Sequence, residues 1–125
     1  MDKKMFCYQC EQTVGCTGCT GNAGVCGKKA GTAKLQDELT GALIGLARAV
    51  DSAAAISKST SQVIIEGLFT TVTNVSFDDA AIENMIQKVR AEKERLVPDC
   101  RTKEYDLQQL WNANEDIRSL KSLIL

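Results

Sequence analysis

A chain of 125 residues, 44% hydrophobic and 25% charged, has the balance of one globular domain with a modest core. Its net charge of −1 leaves no basic excess to neutralise phosphates, which argues against a nucleic-acid partner. No apolar run approaches the roughly 20 residues that cross a bilayer, and the opening Met1-Asp2-Lys3-Lys4-Met5-Phe6-Cys7 is not followed by the apolar stretch of a secretory signal. The expectation is a cytoplasmic protein with no membrane partner.

Residues 1–31 are expected to be a loop. They hold five of the six cysteines and Gly15, Gly18, Gly21, Gly24, Gly27 and Gly31 of the nine glycines. Residues 32–125 read as an all-α region. A first helix is predicted over 33–56 with Thr32 as its N-cap, because Leu35, Leu39, Ala42, Leu43, Leu46, Val50 and Ala53 recur at steps of three and four. A second is predicted from 59 or 60 to 74, with Ser59 and Gln62 as a capping box and Val63, Ile64, Leu68, Phe69 and Val72 as its apolar set. A third starts at Ser76, with Asp78 and Asp79 in the turn where the helix dipole favours negative charge. It carries Ile82, Met85, Ile86 and Val89 and stops before Pro98. A short fourth is predicted over 103–111 and a fifth from Asn114, where Ile117, Leu120, Leu123 and Ile124 line one face. That stripe runs on to Leu125 without a stop signal, so the chain is expected to be cut within its last helix, the alternative being a helix docked to its end. A face left open in this way is expected to self-associate.

The chemistry lies in Cys7-Tyr8-Gln9-Cys10, Cys16-Thr17-Gly18-Cys19 and Cys26. Crowded thiols without a secretory signal favour a metal over a disulfide framework. The chain has no His, which excludes mixed Cys/His zinc sites, haem ligation by His and acid–base work by His. Thiolates select iron–sulfur clusters, zinc or cuprous copper. A cubane needs four thiolates around a wide body, so one tight pair and longer loops suit it. Two tight pairs suit a structural zinc module, with a spacer here that is short for one and with Cys26 left over. A redox couple at Cys7 and Cys10 is a third reading, in a loop that lacks the βαβ setting of such couples. Glycines let backbone amides approach an anionic cluster, and no charged side chain lies between Gln12 and Gly27. Lys28 and Lys29 follow, either offsetting cluster charge or ending the loop in solvent.

Met5-Phe6-Cys7-Tyr8-Gln9-Cys10-Glu11-Gln12-Thr13, Gly18-Cys19 and Gly24-Val25-Cys26-Gly27-Lys28 resemble the amino terminus of the hybrid cluster (prismane) proteins, known as hydroxylamine reductases. Leu35-Gln36-Asp37, Gly67-Leu68-Phe69-Thr70-Thr71-Val72-Thr73-Asn74 and Asn114-Glu115-Asp116-Ile117-Arg118-Ser119-Leu120 are similar to that family in the same order. The resemblance implies two three-helix bundles, one inserted in the other, and Cys7, Cys10, Cys19 and Cys26 as ligands of a proximal cluster. Eight residues separate Cys10 from Cys19 and six separate Cys19 from Cys26. The family's [2Fe–2S] members have a longer first gap, so [4Fe–4S] is expected rather than [2Fe–2S]. Cys16 is an extra thiol in the pattern, able to replace Cys19 in a shifted register.

The resemblance further implies a partner role for the remaining domains of a longer protein. These would hold a hybrid iron–sulfur–oxygen cluster where hydroxylamine is reduced to ammonia and, in some members, nitric oxide is handled. Its ligands include His, which this chain lacks, so the chain alone is expected to be inactive and to carry electrons from an unidentified redox donor. Elsewhere, Cys100 reads as a structural thiol, Trp111 as core or a domain contact, Glu92-Lys93-Glu94-Arg95 as a solvated helix face, and Tyr8 as a cover over the cluster.

Overall fold

The computed structural model describes residues 5–10, 18–53, 55–72, 77–98 and 104–106. Among them are three helices, α1 (Ala30–Asp51), α2 (Lys58–Val72) and α3 (Asp79–Leu96), each packed on the other two. The fold is all-α, as expected. The described helices make a single bundle; the predicted helix from Asn114, with Trp111, Cys100 and Ser76, lies outside the described residues. Residues 104–106, within the predicted fourth helix, are not helical, and the rest of that stretch is also outside. No helix among the described residues is long and apolar enough to cross a membrane.

The core is the seam the periodicity marks on α1 and α3. Leu39, Ala42, Leu43 and Leu46 of α1 bury against Ile82, Ile86 and Val89 of α3 and Val63 of α2, with Leu35, Val50, Ile64 and Met85 at its margin. α2 departs from its predicted stripe. Leu68, Phe69 and Val72 are exposed, Phe69 at 67%. The inward residue is Gly67, where an added Cβ would sit 2.7 Å from Leu43 Cδ2. Val63 and Ile64 of the predicted set do meet the core, but the second half of the helix does not follow the stripe, because its close approach to α1 uses a residue with no side chain. Gly67→Val is expected to destabilise the bundle by about 1–3 kcal/mol through overpacking, read as a lowered midpoint in thermal unfolding.

Caps also differ from the sequence expectation. α1 starts at Ala30, two residues inside the expected loop, with Lys29 as an N-cap that makes no side-chain bond. Thr32, expected as the cap, is buried and donates to Asp79 Oδ1 at 2.6 Å, joining the starts of α1 and α3. α1 ends at Asp51 rather than 56, with Ser52 as its C-cap, whose hydroxyl donates to the Arg48 carbonyl at 3.1 Å. At α2 the capping side chain is Ser57, whose Oγ accepts the Thr60 amide at 3.1 Å, in place of the predicted Ser59 and Gln62 box. Gln62 bonds Glu66 instead. At α3 Asp78 accepts the Ala81 amide at 3.1 Å, so the helix begins at Asp79 and Asp78 is its cap. Leu96 ends it ahead of Pro98 as expected.

The charged run on α3 is only partly solvated. Glu92 and Lys93 are buried, while Glu94 and Arg95 are exposed. Glu92 Oε1 accepts from Thr60 Oγ1 at 2.5 Å and from Arg95 Nη2 at 2.6 Å, tying α3 to the start of α2. Arg95 first and then Thr60 hold the Glu92 carboxyl down to about 2, from an ordinary 4.5. A carboxyl depressed in the folded state stabilises above its unfolded pKa, and that stability goes as pH falls through the folded one. Arg90 and Lys88 depress Glu104 and the exposed Glu66 in the same direction. The unfolding midpoint is therefore expected to fall between about pH 4.5 and about pH 2, with a shallower fall in Glu92→Gln, checked by thermal melts across that range.

Residues 104–106 strap α1 to α3. Tyr105 donates its amide to the Gly41 carbonyl at 3.4 Å, and a Cβ on Gly45 would lie 3.0 Å from Glu104 Cγ. Glu104 receives both Nε and Nη2 of Arg90 at 2.9 Å, and Nη2 also reaches Glu38 at 2.9 Å. These bonds, Glu104's foremost, push the Arg90 guanidinium pKa up.

Candidate metal centre

The cysteine segment rests on the first two turns of α1. Met5 and Phe6 are buried against Ala33, with Cys7, Tyr8, Cys19 and Ala30 packed around them. The cysteine spacing does not reveal Met5 and Phe6 as anchors; two large apolar residues directly ahead of Cys7 are the sequence signal for them.

Cys7 and Cys19 face each other across an isolated antiparallel bridge. Each amide donates to the other's carbonyl, at 2.9 and 2.8 Å. Directly opposed residues of such a pair put their side chains on the same face, so the backbone delivers two thiols side by side. Gly18 makes the approach possible. Its φ is +60°, and a Cβ there would lie 2.7 Å from the Cys7 carbonyl oxygen and 2.8 Å from Phe6 Cε2.

A second small bridge pairs Ala23 with Lys29. Within it the Gly24 amide donates to the Lys28 carbonyl at 2.8 Å and the Gly27 amide to the Gly24 carbonyl at 2.9 Å, a turn with Val25 and Cys26 at its tip. Gly27 has φ +87°, which a side chain would strain.

The four expected ligands Cys7, Cys10, Cys19 and Cys26 all carry free thiols; Cys7 and Cys19 are half-buried, and Cys10 and Cys26 are exposed. Cys16 lies outside the described residues. The structure thus brings Cys7 and Cys19 together. No group of three or more His, Cys, Asp or Glu side chains is gathered to hold a metal ion among the described residues.

Lys28, left by the sequence between a charge-offsetting role and a solvated loop end, is 1% exposed. Its Nζ donates to Gln36 Oε1 at 2.6 Å, to Gln9 Oε1 at 3.2 Å and to Cys7 Sγ at 3.7 Å. An ammonium only donates, so it fixes the Gln36 amide with oxygen toward Lys28. That leaves Gln36 Nε2 buried with no hydrogen-bond partner. In the sequence Gln36 belongs only to a resembling segment; a polar residue on the apolar face of α1, between Ala33 and Leu39, is the signal for it.

Burial pushes the Cys7 thiol up, while the Gln9 amide and Lys28 pull it down and Asp37 adds a smaller upward push. Burial and Asp37 push the Tyr8 phenol up. Tyr8 is half-buried with its ring 5.4 Å from that of Phe6, closing one side of the Cys7 segment.

The residues present fit an iron–sulfur group. The donors are all soft thiols, a cation lies buried beside one of them, and an unsatisfied buried donor on Gln36 calls for an acceptor that the described side chains do not supply.

A family model, Prismane/CO dehydrogenase family, matches residues 5–125. The chain belongs to that family. Prismane-family relatives named hydroxylamine reductase match it from several organisms. That of Methanocella arvoryzae is 45% identical over 98 residues, covering 74% of this chain and 17% of the relative. That of Thermodesulfovibrio yellowstonii is 39% identical over 152 residues, covering 97% of this chain and 28% of the relative. That of Methanocaldococcus jannaschii is 38% identical over 146 residues, covering 96% and 26%. The chain therefore spans less than a third of the length of these prismane-family proteins. A match of 152 residues exceeds the 125 of this chain, so the Thermodesulfovibrio protein carries extra residues inside the matched span.

Proposed function

We propose that this chain is the amino-terminal electron-transfer part of a hydroxylamine reductase-like protein, and that Cys7, Cys10, Cys19 and Cys26 hold its proximal iron–sulfur cluster, of the [4Fe–4S] type. The observation that supports the reading is the Cys7–Cys19 backbone bridge, which joins two of the four cysteines in a chain of the Prismane/CO dehydrogenase family. A cluster held there supplies one-electron transfer.

The chain's own residues give such a group its setting. Met5 and Phe6 anchor the Cys7 strand to α1, and Gly18 lets Cys19 approach it. The turn at Gly24 and Gly27 carries Cys26 on a short lever, and Cys10 follows Cys7 by the spacing that lets two sulfurs share one cluster edge. Tyr8 and Phe6 shield one side from water, which lowers the local dielectric. The catalytic step belongs to the remaining domains: hydroxylamine takes up two electrons and two protons, its N–O bond breaks, and ammonia and water leave. Nitric oxide is a second substrate of the same class. The working partners are those domains and a redox donor, in the cytoplasm.

Electron paramagnetic resonance of protein purified without air and reduced with dithionite tests this reading. A cluster signal in the native chain that disappears in Cys7→Ser is the expected result. Silent, colourless protein loaded with zinc would reject it in favour of an all-cysteine structural module.

A further inference from the structure

We propose that Lys28 is a positioning residue that acts as a built-in counter-ion to the cluster, held by Gln36 and Gln9 against Cys7, and that its charge raises the cluster's reduction potential. The inference rests on the cluster reading above and adds a residue outside the four ligands. An ammonium that is 1% exposed is costly to bury, and surface lysines keep such heads in water. Here the head is drawn inward onto two amide oxygens and one thiol sulfur, the shortest bond being 2.6 Å to Gln36. Gln36 is itself fully buried on α1, so the ammonium is tied to a rigid helix rather than to the loop it comes from. Two residues eight apart, on a loop and a helix, thus fix one positive charge 3.7 Å from a ligand sulfur. Asp37, also buried, is the opposing charge at Cys7.

Reduction adds one electron from a low-potential one-electron donor and one unit of negative charge to the cluster and its thiolates; no bond forms or breaks and no proton need move. A fixed positive charge in a medium of low dielectric favours the more negative, reduced state. Removing it therefore favours the oxidised state.

The test uses the chain loaded anaerobically, with iron and sulfide assayed first and the potential then found by dithionite titration with mediators under EPR. In Lys28→Met, with iron content as in the native chain, the reduced-to-oxidised ratio at a given potential is expected to fall at least tenfold, about 59 mV for a one-electron couple. Lys28→Arg, which keeps the charge, is expected to stay near the native potential. Gln36→Glu leaves Lys28 and the packing in place and cancels the charge. It is expected to lower the potential in the same sense, and it decides the question if Lys28→Met does not load. A potential unchanged in loaded Gln36→Glu, or in loaded Lys28→Met, overturns the counter-ion role. Loss of iron without a shift in the cluster that remains marks Lys28 as structural only and also overturns it. Native protein without iron and sulfide removes the cluster reading itself, and the inference with it.

Discussion

Serine in place of Cys19 is expected to strip the chain of most of its iron, while serine in place of Cys100, which lies outside the described residues, leaves the iron content unchanged. Cys19 is one half of the only pair of described cysteines whose backbones bond each other directly, at 2.9 and 2.8 Å. Its thiol reaches the same face as that of Cys7 without any loop having to close. The other two proposed ligands, Cys10 and Cys26, are exposed, so on this proposal a cluster would depend on the fixed pair to start from. A serine oxygen is a hard donor and a poor substitute for a thiolate on iron. Iron assayed after anaerobic loading of the two variants gives the comparison. Equal loss in both would reject the ligand assignment, and retention in Cys19→Ser would hand the third position to Cys16.

Valine at Gly18 is expected to do comparable damage while leaving every sulfur in place. The left-handed backbone at φ +60° costs an ordinary residue about 1–2 kcal/mol. The added Cβ would also press on the Cys7 carbonyl oxygen at 2.7 Å, and a backbone atom cannot swing aside as a side chain can. The remaining way out is for the bridge to open, which separates Cys7 from Cys19 and lifts Phe6 off Ala33. A stability loss of about 2–4 kcal/mol together with most of the iron is the expected result, read from denaturant unfolding and an iron assay on the same preparation. A fully loaded Gly18→Val of native stability would show that the bridge does not build the site. Gly31, where an added Cβ meets nothing, is the control: Gly31→Ala is expected to load normally.

Much of the fold was legible because burial and period agree. Leu39, Leu43 and Leu46 on α1 and Ile82, Ile86 and Val89 on α3 are core residues at helical spacing, and each is buried. α2 is legible only in part: Val63 and Ile64 face the core as their spacing predicts, and the rest departs for a reason that spacing does not carry. Its contact with α1 is made through Gly67, so Leu68, Phe69 and Val72 mark the helix but not its inner face. Caps failed where side chains found tertiary partners. Thr32 has the chemistry of an N-cap but reaches Asp79, forty-seven residues on, and Ser57 instead of Ser59 caps α2, its oxygen also accepting from Arg95. Glu92 and Lys93 look like surface on a charged run; their partners are distant in sequence, Thr60 donating to Glu92 and Glu104 pairing with Lys93.

The candidate site divides along the same line. Four cysteines and their spacing are a local signal, and they point to soft-metal chemistry without any geometry. The bridge that pairs Cys7 with Cys19 is non-local and has no signature beyond Gly18. Lys28 beside Cys26 read equally well as a loop end, since nothing in the local sequence says that Gln36 will draw its head inward. Gln36 in turn looked like one letter of a resembling segment until its amide was seen to be buried with one end unsatisfied.

The most direct test of the account is the amount of iron and acid-labile sulfide bound per chain in protein made and kept without air. Matched iron and sulfide at about four of each, lost together in Cys19→Ser, is the predicted result. A single zinc ion with no sulfide, unaffected by exposure to air, would contradict it.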